Sequence, residues 1–199
     1  MFPFIETIKV LDGEVMNLPC HQARFERTRS EMLGLKKHPQ LDNEIHVPLT
    51  AQRGLFKCRI LYDHSEVRVE FHPHIKPEIS SLKLVSSDQI SYAYKSADRS
   101  ALSALFNQRG SCDDILIIKK GRITDSYFAN VVLWDGFRWL TPVKPLLEGC
   151  MRASLLKAGV INTADIQLKD LPLYKSIRLI NALNDWSDAP QIPVEAIGW

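Results

Sequence analysis

The stretch DILIIKKGRITDSYFANVVLWDGFRWLTP, residues 114 to 142, decides the fold. ILII is an apolar strand core, KKGR is a turn, and FANVVLW is a further strand rich in aromatic and β-branched residues. Asp135 and Gly136 then turn the chain, and FRWLTP returns it. Strands joined by such tight turns make an antiparallel meander. Asp125 stands just before the second long strand, among apolar neighbours. An unpaired carboxylate is costly in such a place. The residues alone leave two readings open: a turn or capping aspartate, or a carboxylate kept for chemistry. Asn130 equally reads as a sheet-edge or turn asparagine.

Downstream, a proline-rich loop leads into GCMRASLLKAG, 149 to 159, which reads as a helix opened by Gly149. The amide hydrogens of Cys150 and Met151 would point out of its N-terminus, an arrangement that binds phosphate with help from the helix dipole. Arg152 on the first turn faces either an anion or solvent. SIRLINAL, 176 to 183, is the last apolar run.

Upstream, FIETIKVLDG, 4 to 13, reads as a strand ending in an Asp-Gly turn, and CHQARFERTRSEMLG, 20 to 34, as a helix closed by Gly34. Arg24 and Arg27 share a helical face by their spacing. KKHPQLDNEIHVPL reads as loop with room for a short helix. LFKCRILYD, 55 to 63, and EVRVEFH, 66 to 72, form a hairpin. LKLVSSDQISYAY, 82 to 94, holds two strand-like runs. YKSADRSALSALF, 94 to 106, then places Lys95 where a strand, ISYAY, gives way to a helix. The pattern predicts a smaller N-terminal α+β domain over 1–93 and a larger domain over 94–199.

Composition removes several classes. Apolar content of 45% and charged content of 24% are ordinary for a folded globular chain. A net charge of +2 is too balanced for a nucleic-acid or anionic-membrane footprint. The four cysteines form no CxxC, and the six histidines do not group with them as a zinc site would. Free thiols point to a reducing cytoplasm. No signal-peptide pattern and no spanning apolar run is present, so no membrane is expected. GxGxxG and GxxxxGK[ST] are both absent, which removes the Rossmann fingerprint and the Walker loop.

A lysine, an acidic residue and an anion-binding helix start are what pyridoxal 5′-phosphate needs: an amine for its aldehyde, a carboxylate for its ring nitrogen, and amides with an arginine for its phosphate. The order of motifs resembles the class IV aminotransferases, the fold type IV pyridoxal phosphate enzymes. That family includes branched-chain and D-amino acid aminotransferases and aminodeoxychorismate lyase. FIETIKVLDG is similar to the family's opening strand, and HQAR, 21 to 24, to its His-x-x-Arg. ITDSYFAN resembles its Thr-Glu-four-residues-Asn stretch. TPVKPLLEGCMR resembles its Thr-Pro and Leu-x-Gly-x-x-Arg block. INAL, 180 to 183, resembles the asparagine-containing block of the lyase branch.

The resemblance implies that Lys95 is catalytic and holds the cofactor covalently. It implies that Arg24, Gly149, Cys150 and Met151 hold the phosphate, Asp125 the ring nitrogen, and Asn181 and Ala182 a further part of the cofactor site. It also implies two α/β domains with the cofactor at their interface, and a homodimer. The chain departs from the family in four respects. It is short, largely in its N-terminal half. Asp125 is one methylene shorter than glutamate. The helix start reads Gly-Cys-Met-Arg where Gly-Ile-Thr-Arg or Gly-Val-Thr-Arg is common. His74 in FHPHI stands where relatives often carry tyrosine. Arg59, His74 and Arg152 are candidates for a substrate carboxylate, without a residue type that marks any of them as the clamp. The expected activity is transfer of an amino group between an amino acid and a 2-oxo acid. The alternatives are aminodeoxychorismate lyase and a non-catalytic cofactor-binding or structural protein on the same scaffold.

Overall fold

The computed structural model describes residues 2–198 and divides them into two compact units. One holds residues up to 76 together with 94–98, the other 77–93 together with 99 onward.

The first unit contains β1 (Phe4–Leu11), β2 (Glu14–Val15), α1 (Leu18–Leu33), α2 (Leu41–Glu44), β3 (Leu55–Tyr62) and β4 (Val67–Pro73). The strands form an antiparallel sheet in the order β2-β1-β3-β4. Asp12 and Gly13 both take positive φ, 49° and 85°, as a two-residue hairpin turn of matching twist requires. α1 ends where Gly34 turns left-handed at φ 68°, and the Leu35 amide closes back on Arg29 O. Phe4, Glu6, Ile8 and Val10 are buried at the two-residue period of β1. His21, Arg24, Phe25, Thr28 and Arg29 make the buried stripe of α1 at helical spacing. Phe25 meets the Tyr62 ring edge-on at 4.6 Å between these layers.

The second unit contains β5 (Leu82–Ser86), α3 (Ser100–Phe106), β6 (Asp114–Lys119), β7 (Arg122–Ser126), β8 (Asn130–Trp134), β9 (Trp139–Pro142), α4 (Cys150–Lys157), β10 (Asn162–Ala164), β11 (Ser176–Ile180), β12 (Gln191–Pro193) and β13 (Ile197–Gly198). The expected meander is β6 to β9. Lys120 and Gly121, at φ 51° and 72°, make its first turn. β5 runs parallel to β6, and β11 runs antiparallel to β8. Residues 114–118 are buried without a break, as befits a strand covered on both faces.

Two expectations need correction. ISYAY is not a strand: Ile90 and Tyr92 pack with Val85, Leu102 and Ile115, Tyr94 packs with Phe4 and Tyr62, and the segment pairs with no strand among the described residues. Lys95 therefore does not sit at a strand end. It lies in irregular chain fixed to β1, with its carbonyl accepting from Ile5 N at 3.0 Å beside a single Phe4–Ser96 bridge. The expected division at 93/94 is also only one of several crossings. Residues 77–93 group with the second unit because β5 pairs with β6, and 94–98 group with the first through the start of β1.

Candidate functional site

In the first unit the site begins with a residue that composition and motif hide. The alternation of β1 turns Glu6 inward, where it is 0% exposed. A charge so placed needs partners. α1 supplies them one turn apart. Arg24 donates from Nε to Oε1 at 2.8 Å and from Nη2 to Oε2 at 2.5 Å. His21 Nδ1 lies 2.7 Å from Oε2. Burial works against the Glu6 charge, but the Arg24 guanidinium and His21 hold its carboxyl down at about 2. Burial likewise pushes His21 down, and the Lys95 ammonium acts on it in the same direction. His21 is thus neutral at pH 7 and donates Nδ1–H to Glu6, while its buried Nε2 has no hydrogen-bond partner among the described residues. The unit therefore gathers Lys95, His21, Arg24 and Glu6 into one electrostatic group.

In the second unit the register does the gathering. Asp125 of β7 pairs with Asn130 of β8, and Asn130 pairs with Ile180 at the end of β11. Asn181 follows, and its Oδ1 accepts from Leu183 N at 2.9 Å and Asn184 N at 3.2 Å, which shapes the turn that also contains Ala182. Asp125 is a buried strand residue rather than a turn or cap. Its Oδ1 accepts from Asn130 Nδ2 at 2.5 Å, and its Oδ2 accepts from the Leu146 amide and from Leu147 N at 3.3 Å. Asn130 Nδ2 also donates to Leu147 O at 2.7 Å. These bonds stitch the loop before α4 to β7 and β8. Burial pushes the Asp125 carboxyl up to about 6.

Gly149 caps α4 in extended conformation, so its φ of −75° asks nothing of glycine. Space does: a Cβ there would collide with Asn130 Oδ1. The first-turn amides of a helix have no intrahelical acceptor, and those of α4 belong to Cys150 and Met151, both buried.

The three substrate-clamp candidates are placed differently. Arg152 is buried and holds α4 to β9, donating to Thr141 Oγ1 at 3.2 Å and Pro142 O at 2.8 Å. Arg59 pairs across strands with Glu70 at 3.0 Å. His74 is half-buried after β4, and burial with Lys57 and Lys76 lowers its pKa. Sequence reasoning missed Glu6 and the part Asn130 plays. The period of FIETIKV could have revealed the first. The second depends on contacts across seventeen residues that no local pattern carries.

The model for amino-transferase class IV matches residues 4–192. An uncharacterized protein of Haemophilus influenzae is 36% identical over 186 residues, spanning 92% of this chain and 99% of that protein. A Haemophilus somnus protein of known structure, provisionally named a 4-amino-4-deoxychorismate lyase, is 38% identical, with a TM-score of 0.88 over 92% of this chain and 97% of that one. The chain's shortness is thus shared with both. A "hypothetical aminotransferase" of Mycobacterium tuberculosis, solved in its PLP-bound form, is 16% identical with a TM-score of 0.78, covering 96% of this chain and 80% of that one, and shares the fold.

Proposed function

Because the chain belongs to the class IV aminotransferase family, whose members are pyridoxal 5′-phosphate enzymes, we propose that Lys95, Asp125 and the start of α4 hold this cofactor for chemistry at the α-carbon of an amino-bearing substrate. The observation that carries the reading is the Asp125 carboxylate. A carboxylate has about four acceptor positions. Asn130 Nδ2 and the amides of Leu146 and Leu147 are its donors here, which leaves room for a ring N–H. With its carboxyl at about 6, Asp125 is charged at neutral pH and favours a proton on that nitrogen. Cys150 and Met151 supply phosphate-binding amides, and Arg24 a phosphate-binding cation that Glu6 orients. The residues fit the group.

When bound, the cofactor supplies a sink for the electron pair left as a bond at the α-carbon breaks. Lys95 supplies an amine for an aldehyde carbon. Once released by the incoming substrate amine, it is the base that takes the α-proton. Asp125 keeps the ring nitrogen protonated while negative charge develops.

These residues serve both transamination and β-elimination. The 38% identity to the provisionally named lyase, over nearly all of both chains, shifts the weight toward elimination from aminodeoxychorismate, giving 4-aminobenzoate and pyruvate. The Asn181 turn in INAL agrees with it. Amino transfer to 2-oxoglutarate is the competing reading. The purified protein should bind the cofactor and absorb beyond about 400 nm. Borohydride reduction should place the label on Lys95, and a label on Lys119, Lys120 or Lys144 overturns the assignment. Incubation with aminodeoxychorismate should yield pyruvate and 4-aminobenzoate. Glutamate formed from amino donors and 2-oxoglutarate, without 4-aminobenzoate, rejects the lyase. A homodimer in a reducing cytoplasm fits the four free cysteines and the family, and light scattering reads the oligomer directly. No helix among the described residues is long and apolar enough to cross a membrane.

A further inference from the structure

The second unit contains a half-open cavity of about 610 Å³ at the β6–β7 turn. Lys119, Lys120, Arg122 and Lys144 line it, against one lining carboxylate, Asp165. Arg122 is already committed to Asp165, with Nε and Nη2 at 2.7 and 3.2 Å from its two oxygens. Lys119 Nζ donates to Ile90 O at 2.5 Å. The backbone of Lys120 is fixed by Asp88, whose Oδ1 accepts its amide at 2.6 Å. The ammonium groups of Lys120 and Lys144 are different. Lys144 acts on Asp165 through space, but neither ammonium has a hydrogen bond or an ion pair among the described residues. Like charges around a concave, low-dielectric wall focus a positive potential that an anion would relieve.

Of the remaining lining, Ser91 and Thr124 are polar, and Tyr92, Ala93, Val143, Pro145 and the buried Leu146 give it an apolar wall. A cavity of this volume suits a small organic molecule, whereas an inorganic phosphate would fill only a small part of it. We propose that this cavity binds a small organic dicarboxylate with a flat apolar body, its carboxylates on Lys120 and Lys144 and its body on Tyr92 and Pro145. The site is distinct from the cofactor-binding residues but linked to them. Thr124, which lines the cavity, immediately precedes Asp125, and the Leu146 amide donates to the Asp125 carboxylate. An occupant would therefore lean on the loop that positions that carboxylate.

Isophthalate is a suitable probe, with benzamide testing the apolar body alone and inorganic phosphate the charge alone. Calorimetry on the full chain should show isophthalate binding that weakens with salt and is at least about tenfold tighter than either control. Lys120→Ala/Lys144→Ala should weaken it by about tenfold or more. Both lysines are exposed, so the variant should keep the wild-type melting curve. Lys95→Ala should bind isophthalate as the wild type does, even though it cannot be labelled by borohydride, which separates this site from the cofactor assignment. Absence of binding, equal binding of phosphate, or an unaffected lysine double variant overturns the proposal. So does loss of binding in Lys95→Ala, which would place the ligand at the reaction centre.

Discussion

Glu6 is the residue on which the first unit's chemistry turns. Its position follows from strand alternation alone, since Phe4, Ile8 and Val10 share its face. Its partners follow from the one-turn spacing of His21 and Arg24. Arg24 is the partner of Glu6 and, in the proposed reading, also a phosphate-binding cation, and a single substitution confounds the two. Arg24→Ala leaves a buried carboxylate without its main cation and should cost about 3 to 5 kcal/mol of stability, read by urea denaturation. Glu6→Leu/Arg24→Met removes both charges and should recover much of that loss. If Arg24 also grips phosphate, the double variant should still bind pyridoxal 5′-phosphate about tenfold or more weakly. Recovery of stability and affinity together would make Arg24 a purely structural partner of Glu6. Asp125 allows a direct reading at the same scale. In cofactor-free protein its carboxyl, followed by isotope-edited NMR, should titrate near 6, and a bound ring N–H should move that titration downward. A titration that the cofactor leaves unmoved would separate Asp125 from the ring nitrogen.

Among the elements, the start of α4 shows most clearly what sequence can and cannot carry. Gly149 reads as a helix opener because glycine is common there, yet its φ is ordinary and the demand is steric. The atom that excludes a side chain, Asn130 Oδ1, belongs to β8, far away in sequence. Gly149→Ala should displace Asn130 and break its bonds to Asp125 and Leu147 O, at about 1 to 3 kcal/mol. The cost should be non-additive, because Asn130→Ala removes the same bonds and the obstruction with them. The double variant should be no less stable than Asn130→Ala alone in thermal melts. Additive losses would mean that Gly149 serves α4 in some other way. The strands of the meander were legible because Asp-Gly and Lys-Gly turns punctuate β-branched runs. ISYAY was not, because an alternating five-residue run looks the same whether or not a sheet edge is available to it. Lys95 was expected where a strand gives way to a helix, whereas it lies in irregular chain held by a bond to Ile5, a long-range pairing with no local signature.

For the whole molecule, the ionisable groups make the two units respond oppositely to mild acid. The first unit holds His21, whose folded pKa is lowered by burial. Folded His21 stays neutral while the unfolded chain takes a proton below about 6.5, so this unit loses stability as pH falls through that value. Glu6, held at about 2, contributes fully above the unfolded value of about 4.5, and its share is lost only below that. The second unit holds Asp125 and Asp114, each pushed up to about 6 by burial. Their folded forms take protons before their unfolded forms do, so the penalty for burying both charges is complete above about 6 and is relieved as pH falls toward about 4. Neither response is visible in a composition that is nearly balanced in charge. Both follow once strand register has decided which carboxylates are inside and which have a cation. Hydrogen exchange by mass spectrometry at pH 6.5 and at pH 4.5, corrected for intrinsic rates, should separate them. Protection should fall in β1 and α1 and hold or rise in β6 to β8 of the cofactor-free protein. A uniform fall across both units, with no relief in the second, would show that the buried aspartates are already neutral at pH 6.5. Asp125 would then lack the charge that the proposed role at a ring nitrogen requires.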